Sequence, residues 1–435
     1  MRRYCMRTYL YSVVVALCCF TADARGQSSA DTLVISRAEA EAVFLQRNLQ
    51  LLAGKLEIDE AKAKVIQAKL WPNPTLSIGE INLWSNAGAE ALGRLFGTWG
   101  NHAQVAVDIE QLIQTAGKRK KMIAIEETGA AIAERNFEDL LRSLKVEFRS
   151  QLAQLYNTQQ RMKVYEEVLN QLRRLLNGYE RQVAQGNVSR SEYMRLKASE
   201  VELMKVIDDI RKENGVAQRS LKTLMGIPQQ GMLVLADEHL PEIPTAAIQM
   251  LDAGTVQEWA QAHSAELAAI ELGATFAEHE LSYERAQRVP DLTLSAGYDR
   301  GGNIMRDFIG LGLSIDIPFF HRNQGNIKAA QARLEQSRLR AEDKKNEVAG
   351  MAIQAWKDLL AIIARKEYVG AQYDEDMGKL LAGYHNSFAQ RHISLLEYLD
   401  FLEAYLATKD ILLDTDTELL SQYETLRYHV GDQLP

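Results

Sequence analysis

Ile309-Gly310-Leu311-Gly312-Leu313-Ser314-Ile315-Asp316-Ile317 places Ile or Leu at every odd position and Gly, Ser or Asp at every even one. Period-two alternation over this length is the pattern of a strand with one apolar face. Its other face, Gly310, Gly312, Ser314 and Asp316, suits a water-filled lumen, which would put the apolar face against lipid. Three more stretches alternate in the same way: 75–79, 104–110 and 291–298. Together they make two strand pairs, joined by the glycine-rich loops 85–101 and 299–306. Trp84, Trp99, Tyr298 and Phe308 stand at or beyond the strand ends, where an aromatic girdle would lie. Glu80 and Asn82 interrupt the apolar face of the first strand. Four strands cannot close a barrel, which needs about eight, and an open sheet in lipid would leave its edges unpaired. A lipid-embedded sheet therefore requires oligomerisation, and the glycine- and serine-lined face favours three copies over two.

Around these strands the chain is built for helix. All eight prolines lie at 72, 74, 228, 241, 244, 290, 318 and 435, which leaves 75–227 and 319–434 without any. Proline costs a helix interior ~3 kcal/mol, so both stretches permit long helices. Leu141, Leu144, Phe148, Leu152, Leu155, Gln159, Met162, Tyr165, Leu169, Leu172, Leu176, Tyr179 and Val183 follow the 3-4 spacing of a coiled-coil seam with one polar interruption. The predicted helix runs from about Lys118 to Tyr179. It should turn at Gln185-Gly186-Asn187, restart at a capping box of Ser189 and Glu192, and return to Met225 before Gly226-Ile227-Pro228.

This turn occurs twice. Gly178-Tyr179, Ala184-Gln185, Ser189 and Glu192-Tyr193 recur 205 residues later as Gly383-Tyr384, Ala389-Gln390, Ser394 and Glu397-Tyr398, and Gly226 recurs as Gly431. Duplication at this period means two copies of one supersecondary unit. The repeats are 25–240, with a β-hairpin at about 74–112 and a helical hairpin at about 118–225, and 241–435, with the same parts at about 290–317 and 326–430. Arg391 stands where the first tip has Gly186, which puts a left-handed turn there in doubt.

The N-terminus reads as an export signal in residues 1–24: Arg2, Arg3 and Arg7, then apolar Leu10 to Phe20, then Ala22-Asp23-Ala24. Leu17 and Cys18 occupy positions where a lipoprotein signal would place a small residue. Cys5, Cys18 and Cys19 all fall in this segment, so the mature chain has no disulfide or thiolate metal site. Its removal takes three Arg and one Asp and moves the net charge from −8 to −10, which argues against nucleic-acid binding.

Taken together, the duplicated unit, Trp71-Pro72-Asn73-Pro74-Thr75-Leu76 ahead of the first strand, and Thr115-Ala116-Gly117-Lys118-Arg119-Lys120 after the second resemble the TolC-like outer-membrane efflux proteins. The Pro-Asn-Pro and Gly-Lys-Arg strings are most similar to the heavy-metal-efflux branch, the CzcC and CusC type. The resemblance implies a mainly α fold with a small membrane β part: a homotrimer whose strands form a twelve-stranded barrel in outer-membrane lipid, on a periplasmic tunnel of helices. It implies a passive exit duct, with no cofactor, joining an inner-membrane pump of the RND type and a periplasmic adaptor to the exterior. Multidrug efflux or type I secretion by the same fold remains open beside metal export. The family's adaptor-contacting tips carry over onto Gly186, Val188 and Ser189, and onto Ile393, Ser394 and Leu395. Its acidic periplasmic entrance carries over onto Glu397 and Asp400, three apart on one helix face. Asp108, Glu110 and Asp316 on the polar strand faces would extend an acidic path through the barrel lumen.

No H-E-x-x-H, P-loop or nucleophile elbow is present, so the chain is not expected to be an enzyme. His385 and His392 read as solvated tip residues, not as metal ligands. The rival reading from another class is an exported coiled-coil scaffold that never enters lipid.

Overall fold

The computed structural model describes residues 32–82, 104–237, 239–300, 307–370 and 372–434, the side chains of 80–82 and 104 excepted. The export signal, Trp84, Trp99 and both glycine-rich loop centres therefore lie outside the described residues, as do the side chains of Glu80 and Asn82. In chain order the elements are β1 (Thr32–Ile35), α1 (Arg37–Arg47), α2 (Leu49–Ala68), β2 (Thr75–Asn82), β3 (Gln104–Ile113), α3 (Lys118–Ala184), α4 (Arg190–Leu224), β4 (Met232–Leu235), α5 (Thr245–Gln249), α6 (Ala253–His263), α7 (Ala265–Ala286), β5 (Leu292–Arg300), β6 (Asp307–Ile315), α8 (Gln324–Val369), α9 (Tyr373–Ala389) and α10 (Leu395–Val430).

The long helix is longer than the seam predicts. Helix α3 has 67 residues, about 100 Å at 1.5 Å per residue. Its seam is buried at Leu144, Phe148, Leu152, Leu155, Tyr165, Leu169, Leu172 and Leu176. The second repeat departs from this plan. Gly370, in the left-handed region at φ 77°, ends α8 before α9 begins, so the arm that corresponds to α3 is interrupted.

The described residues fall into two compact units, each drawing on both repeats: 32–48, 151–241 and 381–413, and 49–150, 242–380 and 414–434. In the first unit, four-residue strands β1 and β4 pair in parallel from Thr32↔Met232 to Ile35↔Leu235, a sheet too short for its alternation to stand out in the sequence. The polar interruption at Gln159 serves this sheet. Its amide donates to the Leu233 carbonyl (3.1 Å) and its oxygen accepts from Leu235 N (3.3 Å). Gln218 Oε1 accepts from Leu233 N at 3.0 Å, and Asn214 and Thr158 complete the chain of bonds. Side-chain amides thus occupy the free edge of β4, where an unpaired buried backbone group would cost ~1–3 kcal/mol.

The second unit holds a four-stranded antiparallel sheet in the order β2-β3-β5-β6, with β2 and β6 as open edges among the described residues. Its register separates two faces. Leu76, Ile109, Ala296 and Leu311 form one cross-strand row; Thr75, Glu110, Ser295 and Gly312 form the next on the opposite face. The helical part of this unit is cored by Ile248, Val256, Leu267, Ala352, Leu359, Leu426 and Val430, with Trp356 Nε1 donating to the Ile248 carbonyl at 3.3 Å. Arg149 reaches Glu424 at 2.7 Å and Arg142 donates to the His263 carbonyl at 2.6 Å.

The C-terminal end of α4 carries a glycine that the packing requires. Gly226 has φ 60°, and a Cβ there would collide with the backbone oxygen of Arg47. Gly226→Ala should lose at least ~1 kcal/mol, read as a lower thermal midpoint by circular dichroism. Gly178→Ala, inside α3 with open space around it, should be neutral or stabilising by up to ~1 kcal/mol.

Candidate functional site

The two hairpin tips have the same backbone. At the first, Gly186 N donates to Val183 O (3.0 Å) and Asn187 N to Gln182 O (2.9 Å); at the second, Arg391 N donates to Phe388 O (2.9 Å) and His392 N to Ser387 O (2.8 Å). Each bond is displaced from its counterpart by the repeat offset. This is the glycine-type helix stop, in which a left-handed residue lets the turn close on the last carbonyls. Arg391 occupies it at φ 63°, beside φ 75° for Gly186, so the sequence-level doubt about a left-handed second turn is removed. The hydrogen-bonding pattern outweighs the cost of a Cβ in that region, ~1–2 kcal/mol.

The restarting caps differ. Ser394 Oγ accepts from Glu397 N (3.3 Å), while Glu397 Oε2 accepts from Ser394 N and from Ser394 Oγ (2.8 Å each), a full capping box. At the first tip Ser189 Oγ accepts from Glu192 N at 3.2 Å and shares a bond with Ser191 Oγ at 3.0 Å. Among the described residues the Glu192 carboxylate makes no return bond to Ser189, so the expected first box is half made.

Gly186, Ser189 and Ser394 are exposed and Val188 and Ile393 half-buried, whereas Leu395 is buried. Glu397 and Asp400 are both exposed on α10. The bonds from Ser394 hold the Glu397 carboxyl below its usual value, so its charge is retained while it caps.

Behind the tips lies an aromatic cluster that the apolar period alone does not disclose. Tyr179 stacks on Phe388 with centroids 5.6 Å apart, Phe388 on Tyr398 at 4.8 Å, and Tyr384 on Phe401 at 4.1 Å. The signal for it is the repeated tyrosines: three of the four, Tyr179, Tyr384 and Tyr398, are used here. Burial pushes the Tyr398 phenol up to about 12. His385 belongs to this cluster, which corrects its reading as solvated: it is half-buried, with Nδ1 3.4 Å from Tyr398 Oη, and burial lowers its pKa. His392 is exposed as expected. Among the described residues no group of three or more His, Cys, Asp or Glu is placed to hold a metal ion. Further along the same unit, Arg161 Nε meets Asp410 Oδ1 at 2.9 Å and Tyr165 Oη donates to Asp410 Oδ2 at 2.8 Å, tying α3 to α10.

On the sheet, Asp108 lies opposite Ser77 on one side and Gly297 on the other, and a Cβ on Gly297 would strike its carboxylate. Glu110 follows on the same face, exposed. Asp316 is not in a strand: β6 runs from Asp307 to Ile315, two residues earlier than the alternation predicts, and Asp316 lines a cavity of about 510 Å³ below its end. Phe308 falls on the face of Gly310 and Gly312, so it does not join a girdle on the apolar side; Tyr298 lies on the apolar side, in the row of Ile78 and Ile309.

Comparison with known proteins places this arrangement. Residues 43–226 and 257–432 match the family model described as outer membrane efflux protein. The cobalt-zinc-cadmium resistance protein CzcC of Cupriavidus metallidurans is 22% identical over 364 residues, 82% of this chain and 80% of CzcC. Among solved structures, CusC superposes with a TM-score of 0.70 at 17% identity, over 92% of this chain and 93% of CusC. The outer membrane protein VceC of Vibrio cholerae gives 0.70 at 16%, over 91% and 96%.

Removing the left-handed cost or the cap should move the second tip in opposite directions. Arg391→Gly should stabilise it by ~1 kcal/mol and Ser394→Ala weaken it by ~1 kcal/mol, both read as hydrogen exchange of residues 386–398. Because the folded pKa of Glu397 is depressed, its contribution is full above the unfolded value of about 4.5 and is lost as pH falls through the lower folded value. The difference in tip protection between the parent and Glu397→Ala should therefore close in acid.

Proposed function

Because the chain belongs to the outer membrane efflux protein family, we propose that it is the outer-membrane duct of a tripartite efflux system in a Gram-negative bacterium. It would be a passive homotrimeric channel that receives its cargo from an RND-type inner-membrane pump through a periplasmic adaptor. The observation that carries this reading is the sheet. Ile309, Leu311 and Leu313 on its apolar face are 77%, 88% and 61% exposed, a bare stripe that water disfavours and lipid accepts. Its opposite face is mainly Gly, Ser, Thr and carboxylate, with Leu112 and Phe308 toward its two ends, and among the described residues its two edges are open. Three copies would join edge to edge into twelve strands, with Asp108 and Glu110 turned to the lumen and Asp316 at its periplasmic rim. No helix among the described residues is long and apolar enough to cross a membrane, so insertion falls to the strands.

The tips supply the periplasmic functions. Gly186, Val188, Ser189, Ile393 and Ser394 present backbone and small side chains to an adaptor, with Leu395 as the buried seat of the second tip. Around a threefold axis Glu397 and Asp400 would form a ring of carboxylates that concentrates cations and disfavours anions. Metal cations are the proposed cargo, on the likeness to CzcC and on this acidic entrance.

Fractionation tests the location: the protein should sediment with outer membranes and need detergent, and a freely soluble periplasmic product would exclude the duct. For the entrance, Glu397→Gln/Asp400→Asn should lower the cation-over-anion preference of the reconstituted pore. An unchanged preference would remove the ring. Loss of the gene should lower tolerance to divalent or monovalent metals more than to drugs and dyes.

A further inference from the structure

We propose that neighbouring copies of this chain are sealed, where strands give way to helices, by an aromatic seam in which Phe319 and Phe320 of one copy pack on Pro72 and Trp71 of the next. The inference rests on the trimeric reading above and adds the residues that join the copies.

The chain's own duplication supplies the template. Thr75-Leu76-Ser77-Ile78-Gly79 recurs as Thr293-Leu294-Ser295-Ala296-Gly297, with Pro72 and Pro290 each three residues ahead. Thr75 pairs with Glu110 and Thr293 pairs with Ser314, so the hairpin β2–β3 overlays β5–β6 with Glu110 on Ser314. Between the two hairpins of one chain, Glu110 lies opposite Ser295. The equivalent pair across a copy boundary is Ser314 opposite Ser77 of the next copy. The faces agree in this register, since Ile315 then meets Leu76 on the apolar side and both are exposed in the single chain.

Followed toward the helices, the same register brings 317–320 level with 71–74 of the next copy; β6 has ended at Ile315 and the backbone turns at Pro318, where Phe319 N donates to the Ile317 carbonyl at 2.9 Å, so the rings meet as a group and not as strand partners. Prolines 72, 74 and 318 carry no N–H, so backbone pairing must stop here and side chains must close the gap. Within one chain the corresponding gap is closed by a polar clasp. Thr115 N and Lys118 Nζ both reach Asp291 Oδ1 at 2.8 Å, and Thr115 Oγ1 donates to the Pro290 carbonyl at 2.6 Å. The overlay replaces Thr115 and Ala116 by Phe319 and Phe320, and Asp291 by Asn73, so this clasp cannot be repeated between copies. What stands there is aromatic: Phe319, Phe320 and Trp71 are 71%, 89% and 61% exposed. Phe319 and Phe320 already meet edge to face at 5.4 Å, and the Arg119 guanidinium lies 4.1 Å from the centre of the Trp71 ring, which leaves the ring's other face to receive them. Rings of this size prefer edge-to-face or offset contacts and bury a large area for few rotatable bonds.

Disulfide trapping in whole outer membranes tests the seam, using the full chain with Ile315→Cys/Leu76→Cys as the strand pair and Phe320→Cys/Trp71→Cys as the seam pair. The unmodified chain controls for native thiols, and size after mild-detergent extraction gives the copy number. Both pairs should give reductant-sensitive dimers and trimers that the control lacks. A trimer in which the strand pair links and the seam pair does not would overturn the seam and assign the rings to lipid. A trimer in which neither links would overturn the register and the seam with it. A monomer would overturn the trimeric reading itself. Independently, Phe319→Ala/Phe320→Ala should shift the trimer–monomer ratio in detergent about tenfold toward monomer, the scale of losing a buried interface aromatic; an unchanged ratio would also overturn the seam.

Discussion

An amide or carbonyl without a partner is tolerable in water and prohibitive in hydrocarbon, and the architecture of this chain follows from that difference. Its four-stranded sheet pairs every internal edge and leaves two open, at β2 and β6. An apolar face on one side and a small, acidic face on the other are what the proposed completion of those edges by further copies of the same sheet would use. The helices then need no apolar span of their own, and none is found among the described residues. Elsewhere the chain solves the edge problem without a partner: at β4, Gln159 and Gln218 supply the donors and acceptors that another strand would have supplied.

The duplication explains both the economy of the design and its asymmetry. Both tips use one hydrogen-bonded turn, although one has Gly186 and the other Arg391 at the left-handed position. The backbone solution was therefore kept while the side chains diverged. Divergence placed the full capping box, the aromatic stack and the exposed Glu397 and Asp400 at the second tip, which is why the entrance role is proposed there while both tips are proposed to dock.

Much of this was legible in the residues themselves. Long proline-free stretches and a 3-4 seam located α3 and α4, and period-two alternation located all four strands of the larger sheet. What escaped had identifiable causes. Strands β1 and β4 are too short for alternation to register. Alternation continues past the last paired residue, Ile315, and gives Asp316 the pattern of a strand residue that it is not. The break at Gly370 was invisible because a lone glycine in a helical pattern is usually absorbed. His385 looked solvated because the sequence does not show that Phe388 and Tyr398 gather around it. For the candidate site, the caps could be read locally, but the aromatic cluster joins residues more than two hundred positions apart and needed the fold.

The interruption between α8 and α9 gives the two repeats different mechanical character. Helix α3 is a single strut whose hydrogen-bond ladder runs unbroken through its whole length, so a torque applied at one end arrives at the other. The arm built from α8 and α9 is jointed at Gly370, where the ladder lapses and backbone rotation is cheap. The chain thus pairs one continuous helical arm with one that is articulated in two pieces.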